Sequence, residues 1–121
     1  MDDKWDGINR RRHIRVEFPY TLHIFTPDKE AISAYIEDIS EVGIKTCLRK
    51  KIEASTLLEL EIYLKDTPVI CQGKVVWVKE VKSQHFKNEY FFYVGVEFEK
   101  LSDKDRDIIK RAVVSLKMKR P

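Results

Sequence analysis

Apolar and polar residues alternate along most of this chain, and the spacing becomes helical only near the end. Val16, Phe18, Tyr20, Leu22 and Ile24 lie two apart, the period of a strand with one face on a core. Pro19 within that run predicts an edge or a bulge, because proline cannot donate to a ladder. Thr26-Pro27-Asp28-Lys29-Glu30 reads as a turn. Ile32, Ala34 and Ile36 form a second run ending at Asp38, and a third begins at Gly43 with Ile44, Thr46 and Leu48. Leu58, Leu60, Ile62 and Leu64 alternate with Glu59, Glu61, Tyr63 and Lys65, the signature of a strand buried on one side. Asp66-Thr67-Pro68 turns the chain into a longer strand from Val69 to Val78, in which Gly73 predicts a bend or bulge. After a polar loop from Ser83 to Glu89, Tyr90 to Phe98 makes a last strand rich in aromatic and β-branched residues.

At Ser102-Asp103-Lys104-Asp105 the pattern matches a helix N-cap with an acidic first turn. Ile108, Ile109, Ala112, Val113 and Leu116 then form one apolar stripe. About six short strands with turn signals argue for a barrel or a sandwich, and the helix is expected to cover its open side. The strand aromatics Trp77, Phe91, Phe92, Tyr93 and Phe98 are read as core.

A length of 121 residues gives one domain. With 43% hydrophobic residues, a folded unit is expected rather than disorder. The net charge of +3, from 23 basic and 20 acidic residues, is too balanced for a general polyanion binder. The basic residues cluster instead: Arg10, Arg11, Arg12 and Arg15 early, Lys110, Arg111, Lys117, Lys119 and Arg120 late. Residues 1–15 read as a flexible arm and 16–121 as the folded unit, with its helix at about 102–119. Cys47 and Cys71 form no CxxC and read as small buried hydrophobes in a reducing compartment. No apolar run approaches ~20 residues, so no membrane span is expected. The acidic start, Met1-Asp2-Asp3-Lys4-Trp5-Asp6, is not a secretory signal, and a cytoplasmic location follows as the expectation. Trp5 and Ile8 have no assigned role in this reading.

Two separated pieces carry chemistry. Arg11 and Arg15 are spaced R-x-x-x-R, and Asp38, Ser40 and Gly43 are spaced D-x-S-x-x-G. Arginines in an extended segment can fork onto phosphates or onto guanine O6/N7 edges. A carboxylate and a hydroxyl on a tight turn can meet the donor edge of a guanine. Alone, four arginines describe a solvated basic patch, and Asp-x-Ser describes an ordinary turn. Gly43 on its own suits either a positive φ or the close approach of a ligand. The histidines 13, 23 and 85 are scattered, with His13 and His85 in loops and His23 expected on an exposed strand face. No Cys/His/Asp cluster at metal spacing and no G-x-S-x-G are present, so neither a metal site nor catalysis is expected.

Taken together and in order, these motifs resemble those of the PilZ domain family. Gly73-Lys74-Val75-Val76-Trp77 is similar to the family's G-x-V-x-W strand, and Val94-Gly95-Val96-Glu97-Phe98 to its V-G-V-x-F strand, with a helix following. The resemblance implies a six-stranded antiparallel β-barrel with a C-terminal helix and a bacterial, non-enzymatic receptor for the second messenger cyclic di-GMP. It implies that Arg11 and Arg15 contact phosphates and guanine edges, that Asp38 and Ser40 hydrogen-bond a guanine, and that Gly43 allows close approach. Arg10 and Arg12 are secondary candidates. The arm is then expected to order over the ligand and alter the surface offered to an unidentified downstream protein, with the chain a monomer or weak dimer and no cofactor needed. The competing readings are an adaptor of the same fold without ligand binding, and a nucleic-acid-binding barrel. The near-neutral charge and the Asp38 carboxylate weigh against the second.

Overall fold

The computed structural model describes residues 20–64 and 67–119. The predicted arm, Val16 to Pro19 of the first apolar run, and Arg120 lie outside those residues. Six strands follow one another: β1 (Thr21–Phe25), β2 (Ala31–Ile39), β3 (Gly43–Leu48), β4 (Leu57–Leu64), β5 (Thr67–Lys82) and β6 (Tyr90–Phe98), then α1 (Asp103–Lys119). All neighbouring strands run antiparallel. They close in the order β1-β2-β3-β6-β5-β4. Of the two architectures that the alternation allows, the chain adopts the barrel.

Period two places every second side chain inside. Leu22 and Ile24 of β1, Leu58, Leu60 and Ile62 of β4, Val69 of β5 and Val94 and Val96 of β6 are fully buried. The predicted turn forms at residues 26–30, where Thr26 N–H donates to the Glu30 carbonyl at 3.0 Å and Lys29 takes a left-handed φ of 67°. Ser102 caps α1 by accepting the Asp105 N–H at 3.1 Å. Ile109 and Ala112 are buried, and Ile108, Val113 and Leu116 pack on the same core, so the helix covers the barrel as its stripe predicts. Among the described residues, no helix is long and apolar enough to cross a membrane.

Two details depart from the sequence reading. Gly73 makes no bulge: it pairs regularly with Leu58 and Phe98. A Cβ there would press on Val96 Cγ1 and Leu60 Cδ1, so the glycine leaves room for core side chains. The irregularity lies further on, between Val75 and Trp77.

Candidate functional site

Two bulges build the site. In β2, Ile36 pairs with Thr46 and Asp38 with Lys45, so Glu37 is one residue too many. Ile32, Ala34 and Ile36 face the core. An unbroken strand would therefore turn Asp38 inward as well. The extra residue reverses the parity: Asp38 is exposed and Ile39 is buried. In β5, Val75 pairs with Val96 and Trp77 with Gly95, leaving Val76 extra. Val75 is buried, Val78 packs on the core, and Trp77, which an unbroken alternation would bury, is 42% exposed. Its assignment to the core is thus corrected. Phe92 and Phe98 do pack on the core, half-buried, whereas Phe91 and Tyr93 alternate with the inward Phe92 and Val94 and lie beside Arg49 and Lys45, so their assignment to the core is corrected too.

These reversed residues share one open groove of about 290 Å³ on the outside of β3 and β6. Asp38, Ser40 and Gly43 form one side, and Val76 and Trp77 the other, with Gly95 between. The hairpin that joins β2 to β3 is tight, with Glu41 and Val42 at its tip. Ser40 N–H donates to the Gly43 carbonyl at 2.9 Å, and Ser40 Oγ accepts the Val42 N–H at 3.2 Å. Asp38 Oδ1 accepts the N–H of Ile39 at 3.0 Å, which orients the carboxylate. At the tip, Glu41 lies 3.8 Å from Lys110 of α1, an exposed pair of small energetic weight.

Glycines set how closely the walls approach. A Cβ on Gly43 would land on the backbone carbonyl oxygen of Val96. Gly43 does not have a positive φ, so of the two roles read from sequence the left-handed turn is ruled out. The neighbouring strand already requires the glycine. A Cβ on Gly95 would enter the Trp77 indole, so the missing side chain leaves the ring room to approach β6. Charged groups along the groove are the carboxylates of Asp38 and Glu97 and the ammonium of Lys45. Lys45 Nζ sits 5.2 Å from the centre of the Tyr93 ring, a cation–π distance.

The structure thus brings together Asp38, Ser40 and Gly43. Arg11 and Arg15, the secondary Arg10 and Arg12, and also His13, Trp5 and Ile8, lie outside the described residues. Trp77 is the groove residue that the sequence reading missed. A signal existed: Val75-Val76-Trp77-Val78 is an unbroken apolar run, which alternation cannot produce.

The PilZ domain family model matches residues 9–115. No curated protein matches the sequence. Solved structures share the fold. MrkH of K. pneumonia superposes with a TM-score of 0.73 at 18% identity, over 90% of this chain and 51% of its own. The PilZ domain of Escherichia coli YcgR, solved with c-di-GMP, gives 0.68 at 17% identity, over 83% of this chain and 82% of its own. The Bacillus subtilis inhibitor of motility MotI/DgrA gives 0.64 at 17% identity, over 93% and 54%. The chain therefore spans about half the length of MrkH and of MotI/DgrA. At these identities the likeness speaks for the barrel, and the matched family model, which runs through nearly the whole sequence, goes further: the chain belongs to the PilZ domain family.

Proposed function

We propose that this chain is a non-catalytic receptor for cyclic di-GMP that passes the signal on by contact with a separate protein. One observation carries the reading. The bulge at Glu37 turns Asp38 outward beside Ser40, and both open onto the groove that holds Trp77.

The chemistry of the ligand fits that arrangement. A guanine offers N1–H and N2–H₂ donors on one edge, which suit the Asp38 carboxylate and the Ser40 hydroxyl. Its flat face suits the indole of Trp77. The two phosphates need cations, and the described groove lining supplies one, Lys45, against two carboxylates. The remaining positive charge is assigned to Arg11 and Arg15, with Arg10 and Arg12 in support. Their guanidinium forks also match the guanine O6 and N7 acceptors. Charge-assisted bonds contribute roughly 1.5–3 kcal/mol each, and micromolar affinity needs about 8 kcal/mol net. Four or five such contacts supply roughly 6–15 kcal/mol, and the upper part of that range reaches micromolar affinity with several kcal/mol left to offset the ordering of residues 1–15. In this mechanism the arm closes over the bound ligand and changes the surface that a partner meets.

Calorimetric titration with cyclic di-GMP, cyclic di-AMP, GTP and a short single-stranded oligonucleotide tests the reading. Only cyclic di-GMP is expected to bind tightly, and Arg15→Ala and Asp38→Ala are each expected to weaken it at least tenfold, about 1.4 kcal/mol. No heat with any of the four would point to an adaptor without a ligand. Sequence-blind oligonucleotide binding with a steep salt slope would point to a nucleic-acid barrel.

A further inference from the structure

The outer face of the barrel opposite the groove has a composition unlike the rest of the chain. Strand register lays out its side chains in three rows. One runs Tyr35, Thr21, Tyr63, Pro68; the next Ser33, His23, Glu61, Ile70; the third Ala31, Phe25, Glu59, Gln72. Strand and residue spacings make this patch about 15 Å on a side. None of the positions is lysine or arginine, although the 121-residue chain carries 23 of them. Tyr35 and Ile70 are each 66% exposed, and Phe25 and Tyr63 are half-buried. Tyrosine enrichment and lysine depletion distinguish the cores of protein interfaces from ordinary surface.

The patch also carries directed charge. Apart from His23, its ionisable acids and bases are Glu59, Glu61 and the two tyrosines. Glu61 Oε1 accepts the Tyr63 hydroxyl at 2.8 Å and lies 3.5 Å from His23 Nδ1. The His23 ring meets the Tyr63 ring edge-on, with centroids 5.2 Å apart. The Glu61 carboxylate is therefore held in place by its own neighbours. An incoming cation finds a fixed acceptor at Glu61, a second carboxylate at the exposed Glu59 and aromatic faces at Tyr35 and Tyr63. An apolar side chain next to that cation can cover Ile70.

We infer that this face docks a basic, partly apolar segment of a second protein. Charge complementarity selects the occupant: two carboxylates and no lysine or arginine call for arginine or lysine opposite them. The size suits a helix of about three turns. The patch is centred on β1 and β4, and the groove on β3 and β6, which lie across the closed barrel, so the segment and the ligand can be held at once. The inference extends the adaptor half of the proposed function and stands whether or not the groove binds cyclic di-GMP.

The test is an NMR titration of the full chain with a synthetic helical peptide of roughly 14 residues, arginine on one face and leucine on the other. A matched peptide with glutamate in place of arginine is the control. Shifts are expected at His23, Tyr35, Tyr63 and Ile70 with the arginine peptide and not with the control. Ile70→Lys, and Glu59→Lys combined with Glu61→Lys, are each expected to weaken binding at least tenfold, with cyclic di-GMP titration of the same variants unchanged. If a lysine variant fails to fold, Ile70→Gln and Glu59→Gln give the same comparison with a smaller change. Shifts confined to the groove or to α1, or wild-type affinity in folded variants, would overturn the inference. So would a dimer in sedimentation that Ile70→Lys dissolves, which would assign the face to a second copy. A tenfold gain in peptide affinity on deleting residues 1–19 would assign it to the chain's own arm instead.

Discussion

Across β1 and β4 the strands pair in unbroken register, whereas both strands that bring side chains to the groove from its flanks change parity before they reach it. On the regular side every outward residue follows from the alternation. On the groove side Asp38 and Trp77 face out because Glu37 and Val76 are inserted ahead of them. The same two faces also differ in how closely backbones approach. The groove side uses Gly43 and Gly95 where a Cβ has no room, and the regular face has no glycine in its three rows. A regular sheet face presents a broad pattern suited to another protein. A bulged one brings a carboxylate, a hydroxyl and an indole together over a concave surface, which suits a small ligand.

The sharpest way to break this contrast is to exchange Asp38 and Ile39. With Glu37 still inserted ahead of them, Asp38→Ile combined with Ile39→Asp turns a carboxylate into the core and an isoleucine out to water. Burying an unpaired carboxylate while exposing an isoleucine is expected to remove more than about 4 kcal/mol of stability, a large part of what a domain of this size has. Urea denaturation followed by circular dichroism reads it. A native midpoint in the exchanged variant would mean that the extra residue does not set which of the two positions faces the core.

Next in size is Gly43→Ala. The obstacle there is the Val96 carbonyl, part of a paired backbone, so β3 and β6 must separate. Overpacking of that kind is expected to remove about 3 kcal/mol and lower Tm by about 10–15 °C. At Gly95 the obstacle is the half-exposed Trp77 side chain, which can swing away. Gly95→Ala is expected to remove only about 1 kcal/mol and to weaken cyclic di-GMP binding by displacing the indole. Equal losses in both variants would show that the two glycines do not play different roles.

Trp77→Ala separates ligand from fold. The side chain sits outside the core, so stability should change by less than about 1 kcal/mol. Loss of the flat apolar wall should weaken cyclic di-GMP about tenfold in calorimetry, a change of about 1.4 kcal/mol. The arginine peptide that probes the opposite face should bind this variant as it binds the natural chain.

The pattern of what the sequence disclosed follows the same division. The succession of strands along the chain and the buried faces of β1 and β4 were legible because period two holds there without interruption, and the capped helix because its apolar stripe repeats at helical spacing. The residues of the D-x-S-x-x-G motif were legible through their order and family resemblance, while the reason for their outward direction was not. Alternation assigns Trp77 to the core and Asp38 to the inside, and both assignments fail at a bulge. The trace of each bulge is a core-facing pair three apart in place of two, Ile36 to Ile39 and Val75 to Val78. Glycine roles were misassigned for a related reason. Sequence marks Gly73 as the irregular position, yet the space it leaves is filled by Val96 and Leu60 from other strands, a tertiary fact with no local signature.

The smallest expected effect compares the two thiols. Cys47 on β3 is half-buried, and its thiol is pushed up to about 11 by burial first and then by the Glu37 carboxylate, against the partial relief of Lys45. Cys71 on β5 is buried and also pushed up to about 11, by burial first and then by Asp105 of α1. Burial favours the neutral thiol in the folded chain, so this contribution to stability is complete below the unfolded thiol value and fades as pH rises from about 9 to about 11. At pH 8 both thiols should alkylate with iodoacetamide about a hundredfold more slowly than an unburied cysteine, because only the thiolate reacts. Glu37→Gln removes the bulge residue's charge without removing the residue. It should speed Cys47 by less than about threefold, in keeping with a secondary electrostatic cause, and leave Cys71 untouched. An equal acceleration at both cysteines would mean that the substitution had loosened the whole barrel, and Glu37 would then be holding the two faces together rather than acting on the groove side alone.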